Sequence, residues 1–403
     1  MLNVERIRRD FPILKTGVIY LDNAATSLTP ETVVQKTVEY YHEYRANVER
    51  GVHRLTQKAS EEYGKARLKI AELINAKRQD EVVFTKNTTE SINLIANGIG
   101  WKKGDKIVTT LMEHHSNLIP WQRLNQQRGV DLAVVKPDRH GAFNLSDFES
   151  AIDDRTRLVA VTHVSNVLGA IVPVEEVAEV AHSHGSLLLV DGAQSVPHLA
   201  VNVKRIGCDF LAFSGHKMLG PTGIGALYMR EELEGEIQPQ SIGGGGIKDV
   251  TKDQYKLAES PGRFESGTPP IAEAIGLGEA AEYLRREGLE SIAAHERELA
   301  NRVYEKLQAI NRVEVYGPTN PDQRTGIVSF NIAQVNPHDV ALALDISGNV
   351  MVRSGHHCCM PLVKDVLGLR EGTVRASTYL YNTKQEVGKL VELIEEIART
   401  AKN

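Results

Sequence analysis

The chain has 403 residues, of which 41% are hydrophobic and 25% charged, an ordinary composition for a globular protein long enough for more than one domain. Forty-seven basic residues against 52 acidic ones leave a net charge of −5, and there is no long basic run, which excludes nucleic acid as the main partner. Three cysteines, Cys208, Cys358 and Cys359, are too few for a disulfide framework, so a cytoplasmic location is expected and any special cysteine serves reactivity.

The first residues alternate charged and apolar side chains, and no secretory signal is expected. The longest apolar tract, 158–174, is interrupted by Thr162, His163, Ser165, Asn166 and Gly169. It reads as a buried strand and a functional loop, and no membrane span is expected. Residues 1–20 read as a helix and connector packing on a small C-terminal domain. Strands are expected at 82–85, 106–110, 132–135, 158–163, 187–190, 210–213 and 224–229, with helices at 89–99, 117–127 and 174–184. This α/β alternation predicts a doubly wound, mostly parallel sheet with ligands at the carboxyl ends of its strands. Residues 231–270 are rich in Gly, Pro and Gln and read as a hairpin or loop excursion; their Gly243–Gly246 run is a mobile rim or a plain linker. Helices follow at 272–286 and 289–309, strands near 313–315 and 326–331, and a last helix from Thr383. The expected domains are 1–20, the connector; 21–280, a large α/β domain; and 281–403, a smaller α+β domain carrying Cys358.

Thr89, His114, Asn166, Asp191 and Lys217 all lie at or just after expected strand ends, so they should converge in space. Lys217 follows the apolar run 210–213, where burial lowers an amine's pKa and favours imine formation with an aldehyde. Ser214 and His216 beside it can hold a phosphate. Asp191 ends a second apolar run, 187–190. A carboxylate and an imine-forming lysine at neighbouring strand ends suit pyridoxal phosphate, which needs a partner for its ring nitrogen and an anchor for its aldehyde. Thr88 and Thr89 sit where a loop enters a helix, a place that favours an anion and also suits an ordinary N-cap.

Nine motifs run in order along the chain: Leu21-Asp22-Asn23-Ala24-Ala25-Thr26, Asn87-Thr88-Thr89-Glu90-Ser91-Ile92-Asn93, Glu113-His114-His115, Ser165-Asn166-Val167-Leu168-Gly169, Asp191-Gly192-Ala193-Gln194, Ser214-Gly215-His216-Lys217, Phe264-Glu265-Ser266-Gly267-Thr268-Pro269, Arg353-Ser354-Gly355-His356-His357-Cys358 and Val374-Arg375-Ala376-Ser377. On these the chain resembles the class V aminotransferase family of fold type I pyridoxal-phosphate enzymes, and within it the group II cysteine desulfurases. The resemblance implies a seven-stranded sheet domain and a homodimer with a shared active site.

It implies that Lys217 holds the cofactor and moves the substrate Cα proton, that His114 stacks on the ring, and that Gln194 bonds the phenolate oxygen. Thr88, Thr89, Ser214 and His216 would hold the phosphate, with Thr268 reaching it from the other subunit; Thr268 can equally be a turn residue before Pro269-Pro270. Asn166 and Arg375 would bind the substrate carboxylate, and Asn23, Ala24, His53 and Arg353 join them by motif position. Cys358 would take sulfur from L-cysteine, or L-selenocysteine, as a persulfide, its thiolate favoured by Arg353, His356 and His357. A poorly mobile Cys358 loop implies a sulfur-acceptor protein of an iron–sulfur assembly system. The family usually has alanine where Cys359 stands; the vicinal pair can form a strained disulfide, hand sulfur along, or be incidental, the reading favoured because cysteine is a small hydrophobe that replaces alanine readily; His115 reads as a packing residue. The competing readings are selenocysteine lyase or another reaction on the same scaffold, and a metal-binding or redox scaffold built on residues 356–359. Adjacent ligands cannot all reach one tetrahedral ion, so no metal is expected.

Overall fold

The computed structural model describes residues 2–49 and 51–401. Seven strands form the large sheet: β1 (Val82–Thr85), β2 (Lys106–Thr110), β3 (Asp131–Val135), β4 (Thr156–Thr162), β5 (Leu187–Asp191), β6 (Phe210–Ser214) and β7 (Gly225–Met229). Their spatial order is β1-β7-β6-β5-β4-β2-β3, and only β7 runs against its neighbours. Successive side chains enter opposite faces, as the pleat requires. Val108, Val159, Leu188 and Leu211 join one hydrophobic cluster, while Ile107, Leu158, Leu189 and Ala212 join another. Burial on both faces is why these strands read as continuous apolar runs.

Helices α1 (Glu31–Glu43) and α2 (Arg54–Leu73) cover one face together with α6 (Ile271–Glu287), while α3 (Thr88–Gly98), α4 (Ile119–Arg128) and α5 (Val174–Ser183) follow their strands. Neither α1 nor α2 was expected, although α2 buries Ala59, Tyr63, Ala66, Ile70 and Leu73 at a helical spacing. It crosses α6 so closely that a Cβ on Gly278 would lie 2.5 Å from Ala66 Cα. The expected domain boundary at 280/281 falls inside α6, which stays buried as far as Leu284; the chain turns instead at Gly288, with φ of 82°.

The excursion contains a hairpin, β8 (Ile247–Val250) with β9 (Tyr255–Leu257). Its return is pinned by Glu265, which takes a two-pronged ion pair from the buried Arg67 at 2.7 and 2.8 Å. Beyond it, α7 (Leu289–Gln308), α8 (Pro337–Gly348) and α9 (Lys384–Thr400) accompany a second, antiparallel sheet. That sheet comprises β10 (Val313–Tyr316), β11 (Ile327–Ile332), β12 (Arg353–Gly355) and β13 (Thr373–Ser377), in the order β10-β11-β13-β12. β12 and β13 carry the motif residues Arg353 and Arg375, yet neither strand, nor α8, was expected. Near the N-terminus, Phe11 packs on Tyr283 and Tyr381, and Ile19–Tyr20 pairs in parallel with Val350–Met351. No described helix is long and apolar enough to cross a membrane.

Candidate active site

The carboxyl ends of β4, β5 and β6 open into a cavity of about 680 Å³, a size suited to a small cofactor with its substrate. Lys217 ends a single helical turn directly after β6. Its amine stays accessible from the cavity while protein surrounds it elsewhere; burial pushes its pKa down, opposed in part by attraction to Asp191. Asp191 ends β5 and is 4% exposed. One of its oxygens accepts from Ala193 N at 2.9 Å, and burial pushes its carboxyl up, offset in part by that N–H and by Lys217. The two groups thus oppose each other's desolvation across neighbouring strand ends.

The start of α3 forms a polar corner of the same cavity. Asn87, not a threonine, is the cap: its side chain accepts from Glu90 N at 3.0 Å. The threonine hydroxyls are thereby free for other partners. Thr88 N donates to Ser214 Oγ at 2.9 Å, and the two hydroxyls lie 2.6 Å apart. Thr89 Oγ1 meets Ser116 Oγ at 2.7 Å. The loop reaches Ser214 because β7 carries glycine at its first position: a Cβ on Gly225 would lie 2.8 Å from Asn87 Cα. His216 is half-buried, and burial lowers its pKa to about 4. His114 accepts through Nδ1 from Ser116 N at 3.1 Å, and its pKa is lowered to about 3, by burial first and then by Lys217.

The opposite wall comes from the second sheet and the 356–360 loop. Arg375 is buried; it donates to Asn166 O at 2.8 Å and pairs with Asp22 Oδ1 at 3.1 Å. Arg353 pairs with the other Asp22 oxygen at 3.2 Å. Cys358 is exposed at the cavity, whereas Cys359 is fully buried and its thiol is pushed up by burial. His357 and Cys358 are both left-handed, with φ of 51° and 55°, a strain of roughly 1–3 kcal/mol at each. Burial lowers the His357 pKa to about 2, so the expected charge on that imidazole is absent at neutral pH and the fixed cations here are Arg353 and Arg375.

Comparison with known proteins agrees along the whole chain. Residues 19–390 match the family model Aminotransferase class-V. The chain belongs to the class V aminotransferase family. A probable cysteine desulfurase of Pyrococcus abyssi is 48% identical over 402 residues, covering 99% of this chain and 98% of the relative. The apo cysteine desulfurase of Thermococcus onnurineus NA1 superposes with a TM-score of 0.96 at 50% identity, over 100% of this chain and 99% of the other. The S-sulfonic acid form of the cysteine desulfurase CsdA from Escherichia coli superposes with a TM-score of 0.92 at 33% identity, over 100% of both chains.

The residues present in this class V chain fit pyridoxal phosphate. Gln194 donates to Ala24 O at 2.7 Å, but its buried Oε1 has no hydrogen-bond partner. Gln194 borders the cavity beside an amine, a carboxyl and a helix N-terminus, groups suited in turn to an aldehyde, a ring nitrogen and a phosphate. Ala24, Thr88, Thr89, His114, Asn166, Asp191, Gln194, Ser214, His216, Lys217, Arg353, Cys358 and Arg375 all line the cavity. Asn166, however, donates its amide to His357 O at 2.7 Å. Asn23 does not reach the cavity; it is buried and bonds Ser377 O at 2.6 Å and Tyr381, tying the first motif to the C-terminal segment. His53 is also absent from the wall: it is exposed and caps α2 through Thr56 N at 3.4 Å. Thr268 borders a separate cavity with Asn47, Glu49 and Gly245.

Three participants escaped the sequence. His115, read as packing, lines the cavity, as does Ser116. Glu113 lies fully buried beneath it and accepts from Thr110 Oγ1 at 2.7 Å, Asn117 Nδ2 at 2.6 Å and Thr162 N at 3.0 Å. Its charge directly after the apolar pair Leu111-Met112 was the available signal. The side chains at 356–359 diverge: His356 meets Arg370 O, His357 meets Thr373 Oγ1, and Cys359 enters the core.

Proposed function

We propose that this protein is a pyridoxal-phosphate-dependent cysteine desulfurase that converts L-cysteine to L-alanine, holds the sulfur as a persulfide on Cys358, and passes it to an acceptor protein of iron–sulfur cluster assembly. One observation carries the reading: the Lys217 amine, the Asp191 carboxyl and the Cys358 thiol share a single cavity. Full-length relatives named cysteine desulfurase support it.

Lys217 and Asp191 would hold the cofactor at its aldehyde and ring nitrogen, His114 and Gln194 would hold the ring, and Thr88, Thr89, Ser214 and His216 the phosphate. When bound, pyridoxal phosphate supplies an electron sink that loosens bonds at the substrate Cα and Cβ. Arg375, with Asn166, grips the substrate carboxylate and sets the Cα–H bond toward Lys217. The Lys217 amine, with its pKa lowered by burial, takes the Cα proton. The Cys358 thiolate attacks the substrate sulfur; a sulfur–sulfur bond forms, the Cβ–S bond breaks, and its electron pair stays with the carbon, which takes up a proton and leaves as alanine. The balance is L-cysteine plus a thiol giving L-alanine plus a persulfide.

Thr268 lies outside its own chain's main cavity, and Val34, Val38 and Tyr41 expose an apolar stripe on α1. Both support a homodimer in which Thr268 serves the other subunit's site. The free thiols of Cys208, Cys358 and Cys359 support a cytoplasmic location. The test measures alanine and sulfide from L-cysteine, with L-selenocysteine in parallel, for the wild type and Cys358→Ser. The variant should keep the yellow, borohydride-bleachable colour and lose sulfur release. Undiminished sulfide from it rejects Cys358 as the nucleophile, and a colourless protein that takes up no cofactor rejects the whole reading.

A further inference from the structure

The loop carrying Cys358 is gripped at three backbone points from outside. Asn166 Nδ2 donates to His357 O at 2.7 Å. His115 N donates to Cys358 O at 2.7 Å, and Met360 N donates to His115 Nε2 at 3.1 Å. Two of the three grips belong to one residue, and they bracket the peptide units on either side of Cys359. His357 and Cys358, whose carbonyls take the first two grips, hold left-handed backbone, which side-chain-bearing residues keep only where their surroundings over-determine it. Cys359 is anchored on the far side, fully buried in the core.

We propose that His115 is a positioning residue for the sulfur nucleophile. By clamping residues 358 and 360 it keeps this strained turn in place, so that the Cys358 thiol faces the cavity while Cys359 faces the core. Because Nε2 accepts from Met360, the imidazole must be neutral with its proton on Nδ1. The inference rests on the reading of Cys358 as the nucleophile. Its consequence for rate follows from geometry: misplacing a reacting atom by about 1 Å removes on the order of a hundredfold.

The experiment compares wild type, His115→Ala and His115→Gln, since the glutamine Oε1 reaches about as far as Nε2 and can accept from Met360 N. Steady-state alanine formation gives kcat and KM; amide hydrogen exchange of the peptide spanning residues 356–362, in cofactor-free protein, reads the clamp without catalysis. His115→Ala should lower kcat about ten- to a hundredfold with KM within about threefold and speed exchange at Met360, while His115→Gln should restore both. Wild-type kcat in His115→Ala, unchanged exchange at Met360, or a glutamine variant no better than alanine would each overturn the clamp. A wild type that makes no alanine from L-cysteine would reject the desulfurase reading instead, leaving the exchange measurement to decide the clamp.

Discussion

Arg353 and Arg375 stand in register on the adjacent antiparallel strands β12 and β13, and the Asp22 carboxylate pairs with both. The pairing fixes the guanidinium of a buried arginine that borders the cavity, without filling its hydrogen-bonding capacity: Arg375 Nε is buried without a partner. Such a fork is arranged to receive one more planar anion. Arg375→Lys keeps a positive charge and loses the fork. It should raise KM for L-cysteine about ten- to a hundredfold, the equivalent of one charge-assisted hydrogen bond. Steady-state kinetics that leave KM unmoved would remove Arg375 from carboxylate binding.

The three cysteines should separate cleanly by reactivity. Cys358 is exposed, while Cys208 and Cys359 are buried and burial pushes both thiols up. A colorimetric thiol reagent should therefore titrate one cysteine in the native protein and three after unfolding. Cys359→Ala should retain turnover within about twofold, while Cys359→Ser, which buries a hydroxyl, should lose roughly 1–3 kcal/mol of stability. A Cys359→Ala protein without sulfur release would assign that residue a role in transfer.

Lys217 should titrate below the ordinary lysine value of 10.5. Burial disfavours the ammonium, so the reactive free amine grows in as pH rises through the lowered value rather than through 10.5. The rate at which cofactor-free protein develops colour with pyridoxal phosphate should follow this titration, and Lys217→Arg should develop none. A midpoint at or above the ordinary value would contradict the burial argument.

Glu113 predicts a pH-dependent stability. Burial raises its carboxyl from 4.5 to about 8, outweighing the three donors that favour the anion. Between those values the folded protein holds a proton that the unfolded chain lacks. This group's contribution to stability is therefore complete below 4.5 and falls as pH rises toward 8, by at most about 1.4 kcal/mol per pH unit. Urea denaturation across that range should show a downward trend in the wild type that is flatter in Glu113→Gln. Parallel slopes in the two proteins would place the Glu113 titration elsewhere.

Much of the large sheet could be read from the chain because strands covered on both faces must be apolar throughout, as at 187–190 and 210–213. The strands β12 and β13 could not. Arg353-Ser354-Gly355 has no apolar run, and its extended conformation exists only through its ladder to residues 373–375. The first motif shows the same limit at single-residue scale. Ala24 lines the cavity while its neighbour Asn23 turns into the C-terminal segment, and local spacing says nothing about which neighbour faces inward. His114 and His115 both line the cavity, but one ring is held by Ser116 and the other by Met360.

Residue order alone therefore determined the fold class and the chemical types available: an amine and a carboxyl after apolar runs, a helix entered through Asn-Thr-Thr, and a histidine-flanked thiol. These are properties of local pattern, set by burial and by backbone geometry over a few residues. Tertiary structure alone decided which of two adjacent cysteines meets the cavity, which arginines share Asp22, and which histidine grips the nucleophile's loop. Each of those outcomes depends on contacts between segments more than two hundred residues apart, and directional bonds across such separations are written only when the chain is packed.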